Sequence, residues 1–169
     1  MSHNKVFTVE EANSLLPDVE ETFRHLAGMR AEIQRASDRL SVLDVLWGQR
    51  LMEPDNPDRK EFLEERAVVR RLVREVEEVV EQEFTARGIR FPPGGLENGL
   101  VDFPSTYEGR WVYLCWRRGE DEIVAWHELD GGFAGRKPLT EEDALRMGRE
   151  DGPSGGGGKR GGQGGTRWA

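Results

Sequence analysis

The chain has 169 residues, 36% hydrophobic and 33% charged, with 24 Lys+Arg against 32 Asp+Glu and a formal charge of −8. That length holds one ordinary domain or one with a small appendage, and the acidic balance excludes a protein whose main work is coating phosphate backbones. No run approaches the roughly 20 apolar residues that cross a bilayer, the start lacks a basic-then-apolar leader pattern, and the single cysteine, Cys115, cannot form an internal disulfide, so a cytoplasmic protein held together by packing is expected.

The first ninety residues read as helix. Thr8-Val9-Glu10-Glu11 is a capping box, with Phe7 placed as a hydrophobic staple. Pro17 cannot donate an i to i−4 hydrogen bond, so the chain is expected to kink there or to begin a second helix with Pro17 in its first turn. Beyond it Val19, Phe23, Leu26, Ile33, Leu40 and Trp47 lie on one stripe, a coiled-coil-like seam interrupted by Arg30 and Ser37. The segment 48–57, GQRLMEPDNP, should break the helix. Asp58-Arg59-Lys60-Glu61 offers a second capping box, and Phe62, Val69, Leu72, Val76 and Val79 continue an apolar stripe that Val73 and Val80 widen, until Gly88 stops it. Two helices of about 30 residues, each about 45 Å long, should therefore fold back as an antiparallel hairpin. One buried stripe per helix seldom suffices, so the hairpin must pack against the C-terminal half or a second copy of itself.

After Pro92-Pro93-Gly94-Gly95 the texture changes to strands. Leu100 to Phe103, Trp111 to Trp116 and Glu122 to His127 predict a three-stranded antiparallel meander with turns at 105–109 and 117–121. Both faces of WVYLCW are apolar, so the sheet should be covered on both sides. The loop DGGFAGR (130–136) is too rich in glycine for regular structure, and Thr140-Glu141-Glu142-Asp143 starts one more helix, ended by Gly148. From Pro153 to Ala169 eight of seventeen residues are Gly, and Lys159, Arg160 and Arg167 are its only charges, which leaves 21 basic and 32 acidic residues in 1–152. Such a tail buries too little to offset its ordering entropy and is expected to be disordered. The expected class is α+β: a helical hairpin over 6–95, a β-meander with loop and short helix over 96–150 packed on the hairpin as one unit, and a tail over 151–169.

FTVEEANSLLP at 7–17 and GLVDFPSTYEGRWVYLCWRRGEDEIVAWHELDGGFAGRKPL at 99–139 resemble a family of small bacterial proteins classified as a domain of unknown function. The resemblance covers about residues 6–140. It implies no established activity, cofactor or partner and no catalytic residue to carry over.

Chemically capable residues concentrate in the second segment. With a hairpin closing around 117–121, His127 falls opposite Arg110 or Trp111, about four residues or 13 Å from Cys115. On that geometry the two cannot share a metal or a proton, Cys115 is a buried packing residue, and no metal site or cofactor is expected. The same geometry gathers Asp102, Arg110 and His127 as the candidate catalytic cluster, in which the carboxylate orients the imidazole and the guanidinium holds an anion. Arg110, His127 and Arg136 are the candidate ligand-binding residues; the alternative role for the cluster is a structural network. DGGFAGR matches no nucleotide-binding spacing, and a tight crossing with Phe133 plugging the core is expected of it.

Three functions follow. The leading one is a non-enzymatic interaction or scaffold protein that self-associates through its helical hairpin or docks another protein. The second is an enzyme or binder of small anionic ligands using the polar cluster. The third is weak nucleic-acid contact through the tail, which has the composition of single-strand binders and nothing more. No membrane partner is expected.

Overall fold

The computed structural model describes residues 5–149, and the tail expected from 151 lies outside them. The chain is α+β, a long two-helix hairpin followed by an antiparallel sheet. Thr8 closes its capping box: its hydroxyl accepts from the Glu11 N–H at 3.1 Å, and Glu11 Oε2 accepts from the Thr8 N–H at 3.1 Å. Helix α1 then runs Val9–Trp47, 39 residues or about 58 Å. Pro17 neither ends it nor divides it in two, because the turns on either side keep their bonds and the helix is buried along one face.

The second helix, α2 (Arg59–Glu83), starts differently from the expected box. Asp58 precedes it without a side-chain cap. Its Oδ2 instead accepts the Trp47 indole N–H at 2.7 Å, and Glu61 accepts two hydrogen bonds from the Arg39 guanidinium, one at 2.9 Å. Both acceptors are drawn off by donors on α1, so they tie the helices to each other rather than closing the α2 terminus. Gly88 makes the stop beyond α2 with φ +81°, and Ile89 donates back to the Phe84 carbonyl at 3.0 Å. The seam is completed by Met29, Ala36 and Leu43, three residues after Leu26, Ile33 and Leu40; Arg30 and Ser37 sit beside it. Val73 does not widen the stripe and is 42% exposed.

A short helix, α3 (Gly95–Asn98), leads into four strands rather than three: β1 (Leu100–Tyr107), β2 (Arg110–Arg117), β3 (Ala125–Glu128) and β4 (Lys137–Pro138), in the order β1-β2-β3-β4. Two features move the register away from the expected one. First, β1 continues through Pro104 to Tyr107, and the hairpin closes at Glu108-Gly109, both with positive φ (+50° and +76°), the backbone of a two-residue hairpin turn. Pro104 is tolerated because its carbonyl, and so its nitrogen side, faces away from β2 and accepts from the Phe7 N–H at 2.8 Å. Second, 122–124 do not join β3. The Ile123 N–H donates to Asn13 Oδ1 of α1 at 2.7 Å, and its side chain is buried in the core. The connection after β2 is thereby lengthened, and His127 slides opposite Tyr113.

The outer edge of β1 is closed by two segments that also complete the core. Phe7 binds Pro104 as described and stacks edge-on against Phe103 at 5.3 Å. Arg90 exchanges backbone bonds with Asp102 at 2.8 and 2.9 Å, so no long bare edge is left on that side. Val101, Phe103, Val112, Leu114, Trp116 and Trp126 form one core with Val19, Phe23 and Leu26 of α1 and Leu72 of α2. Thr140 caps the last helix, α4 (Glu141–Arg146), accepting from the Asp143 N–H at 3.1 Å, and Gly148 follows at φ +72°.

The sheet reaches only part of the hairpin. Fully buried members of that shared core stop at Met29 on α1 and begin at Leu72 on α2. The loop end of the hairpin projects as an arm around Ala36, Leu43 and Leu51, with Val42, Val45, Leu46 and Met52 exposed on it.

Candidate functional site

Strand alternation assigns the polar residues of the sheet to two faces. Asp102 stands opposite Cys115 and His127 opposite Tyr113, so Asp102, Cys115 and His127 point away from the helices, while Arg110 and Glu128 share the other face with Leu114 and Trp126. The N–H and C=O of Asp102 are both spent outward on Arg90. Asp102 and Cys115 are therefore a non-hydrogen-bonded pair, the kind whose side chains stand closest.

The result corrects the expected separation of Cys115 from His127. One ligand-capable atom from each of Asp102, Cys115 and His127 lies within 4.8 Å of the other two, and all three residues are buried. The 13 Å expected from the sequence assumed that 122–124 pair with β2; their diversion to Asn13 brings His127 diagonally beside Cys115.

His127 is held at both ring nitrogens, Nδ1 by the Glu128 carbonyl at 2.7 Å and Nε2 by Asp102 Oδ1 at 3.1 Å. A carbonyl only accepts, so Nδ1 carries a proton, and Nε2 is the atom turned toward the Asp102 carboxylate. Burial works against the imidazolium, but the bonds to Asp102 and the Glu128 carbonyl outweigh it and raise the His127 pKa. The second carboxylate oxygen, Asp102 Oδ2, is buried with no hydrogen-bond partner. Burial, with the Asp102 carboxylate adding to it, pushes the Cys115 thiol up to about 12, so the free thiol is not a nucleophile at neutral pH.

Around these three, Tyr113 packs its ring 5.5 Å from that of His127, and the Arg90 guanidinium lies 4.5 Å above the Tyr113 ring and donates to its hydroxyl. Gly131 passes over His127, where a Cβ would meet the Glu128 carbonyl at 3.4 Å and the His127 Cβ at 3.6 Å.

The other expected members lie apart. Arg110 donates two hydrogen bonds to Glu128, at 2.8 and 3.0 Å. Those bonds, with Lys137 adding, hold the Glu128 carboxyl down at about 2 against the opposing effect of burial. Arg136 bridges to Glu120 at 2.7 and 2.9 Å, reaches the Cys115 carbonyl at 3.4 Å and lies 5.0 Å from the Phe133 ring. Phe133 is 40% exposed and does not plug the core; its ring lies against the Arg136 guanidinium at the surface instead. The expected cluster thus divides: Asp102 and His127 meet, Arg110 is on the opposite face, and Arg136 flanks the backbone of Cys115. Cys115, expected only to pack, is the third member of the cluster. Closing the hairpin at Glu108-Gly109 would have found it, since that turn alone sets Asp102 against Cys115.

Away from these residues, an open groove of about 510 Å³ lies where Phe23, Leu26 and Ile33 of α1 and Val76 of α2 face Leu96, with Arg30 and Arg118 among its lining residues. Arg118 is paired with Glu20 at 2.9 Å.

Residues 5–139 match the family described as Uncharacterized conserved protein (DUF2203), and the chain belongs to that family. No curated protein and no solved structure matches it. No helix among the described residues is long and apolar enough to cross a membrane.

Proposed function

We propose that the protein is a cytoplasmic, non-enzymatic interaction protein that self-associates through the arm of its helical hairpin. The observation that carries this reading is the exposed apolar end of the arm. Val45 is 85% exposed and Leu46 64%, with Val42 and Met52 beside them at 47% and 45%. Val42, Val45 and Leu46 follow the i, i+3, i+4 spacing of a second stripe on α1, turned away from the seam with α2. A two-helix arm buries one stripe per helix, and a second copy laid against the other stripe would make a four-helix bundle. A surface that meets its own copy closes by a two-fold axis and needs no further partner.

The test is the double substitution Val45→Glu with Leu46→Glu, followed by sedimentation velocity. Self-association lost with the helical circular dichroism unchanged supports the arm; association unchanged in the double variant contradicts it.

The contact between Asp102 and His127 favours a second reading, a small-ligand or catalytic role for the sheet. On that reading His127→Ala abolishes ligand binding while leaving the mass of the particle unaltered.

A further inference from the structure

We propose that Asp102, Cys115 and His127 form a mononuclear site for a divalent transition metal, with zinc the fitting ion. Each residue offers one ligand atom of a different kind: a carboxylate oxygen, a sulfur and an imidazole nitrogen, all mutually within 4.8 Å. Imidazole and thiolate with one carboxylate is a donor set that suits Zn²⁺, which imposes no geometry of its own.

Two independent features of the site point to a cation. The first is the histidine tautomer. The Glu128 carbonyl at 2.7 Å holds the Nδ1 proton, so a neutral His127 aims the Nε2 lone pair at the Asp102 carboxylate 3.1 Å away. Two acceptors at that distance repel unless a proton or a metal lies between them, and a backbone carbonyl on the far nitrogen is the usual support of a metal-bound histidine. The second is Asp102 Oδ2, fully buried and accepting from no nitrogen or oxygen donor; a metal bond would satisfy it more strongly than the weak thiol donor of Cys115 beside it.

The nearest cations do not fill that role. Arg90 is engaged with Tyr113 and Arg136 with Glu120.

Cobalt(II) and zinc titrations of the full chain, stripped with a chelator, test the site. The expected result is one ion per chain and, for cobalt, a thiolate-to-metal charge-transfer band. The chain has one cysteine, so that band can come only from Cys115. Cys115→Ser should remove it, Asp102→Asn and His127→Gln should each weaken zinc binding by at least about tenfold, the scale on which even outer partners of a metal ligand act, and His25→Ala should change neither. The proposal is overturned if the wild-type chain binds neither ion at micromolar concentration, or if the cobalt spectrum lacks the thiolate band. Should the variants fail to fold, the wild-type cobalt spectrum decides by itself.

Discussion

Nε2 of His127 stands 3.1 Å from Oδ1 of Asp102 while Nδ1 of the same ring is held by the Glu128 carbonyl at 2.7 Å, so one imidazole joins a β1 carboxylate to the backbone of β3. Both side chains are almost wholly removed from water. Removing one partner of a buried pair strands the other, and Asp102→Ala is expected to cost about 3–5 kcal/mol of unfolding free energy. His127→Ala should cost about as much, and the double variant less than the sum of the two. Urea unfolding in the presence of a chelator measures all three; strict additivity would mean that the two residues are not coupled.

Cys115 sits 1% exposed with its thiol pushed up to about 12, first by burial and then by Asp102. Thiolate is the reactive form, so the native protein should resist a thiol reagent such as Ellman's disulfide for as long as it stays folded. One equivalent should react on unfolding in denaturant. Prompt labelling of the native chain would show that the face bearing Asp102 and His127 is open to solvent.

At the far end of the hairpin turn, the Tyr107 hydroxyl donates to Asp143 Oδ1 at 2.6 Å. That bond first, and burial second, push Tyr107 from 10.0 up to about 12, while the same bond holds Asp143 below its usual 3.8. A group whose folded pKa is raised keeps its proton longer in the folded state. The contribution of Tyr107 is therefore complete below pH 10 and lost as the pH rises toward 12; that of Asp143 is present above its unfolded pKa and lost on acidification. The chain has two tyrosines, so absorbance titration of Tyr113→Phe reads Tyr107 alone. A midpoint near 12, falling toward 10 with Asp143→Asn, is expected.

Gly148 closes the fold against the N-terminal segment. Its N–H donates to the Thr106 carbonyl at 2.9 Å, and a Cβ there would lie 2.2 Å from the Phe7 carbonyl oxygen, at a φ of +72°. Gly148→Ala combines a backbone clash with left-handed strain and should destabilise by about 1–3 kcal/mol. Gly109 shares the sign of φ but has open space around it, so Gly109→Ala should cost about 1 kcal/mol. Thermal melts of the two variants would contradict this if Gly148→Ala were the milder.

The helices were legible because their signals are local: the Thr8 box, the seven-residue seam and the glycine after α2 need no knowledge of the rest of the chain. The α+β class and the β1-β2-β3 meander were legible for the same reason. What was not legible depends on contacts distant in sequence. Pro104 reads as the end of a strand until Phe7 is seen to take its carbonyl. Glu122 to Val124 read as strand until Asn13, more than a hundred residues earlier, is seen to hold the Ile123 N–H. Those two errors shift β1 and β3 against β2, and a shift of that kind decides which side chains meet. Both shifts run the same way along β2, so Asp102 still meets His127, whereas the meeting of Cys115 with either was not legible. Likewise Asp58 and Glu61 carry a capping pattern but are claimed by Trp47 and Arg39 across the hairpin.

The central claim, that the apolar end of the arm pairs two copies of the chain, is tested most directly by the molar mass of the intact protein in solution, measured by light scattering over a range of micromolar concentrations. One chain weighs 19.2 kDa. A mass of twice that value, falling toward the single-chain mass on dilution, is the predicted result; a constant 19.2 kDa at every concentration would contradict it.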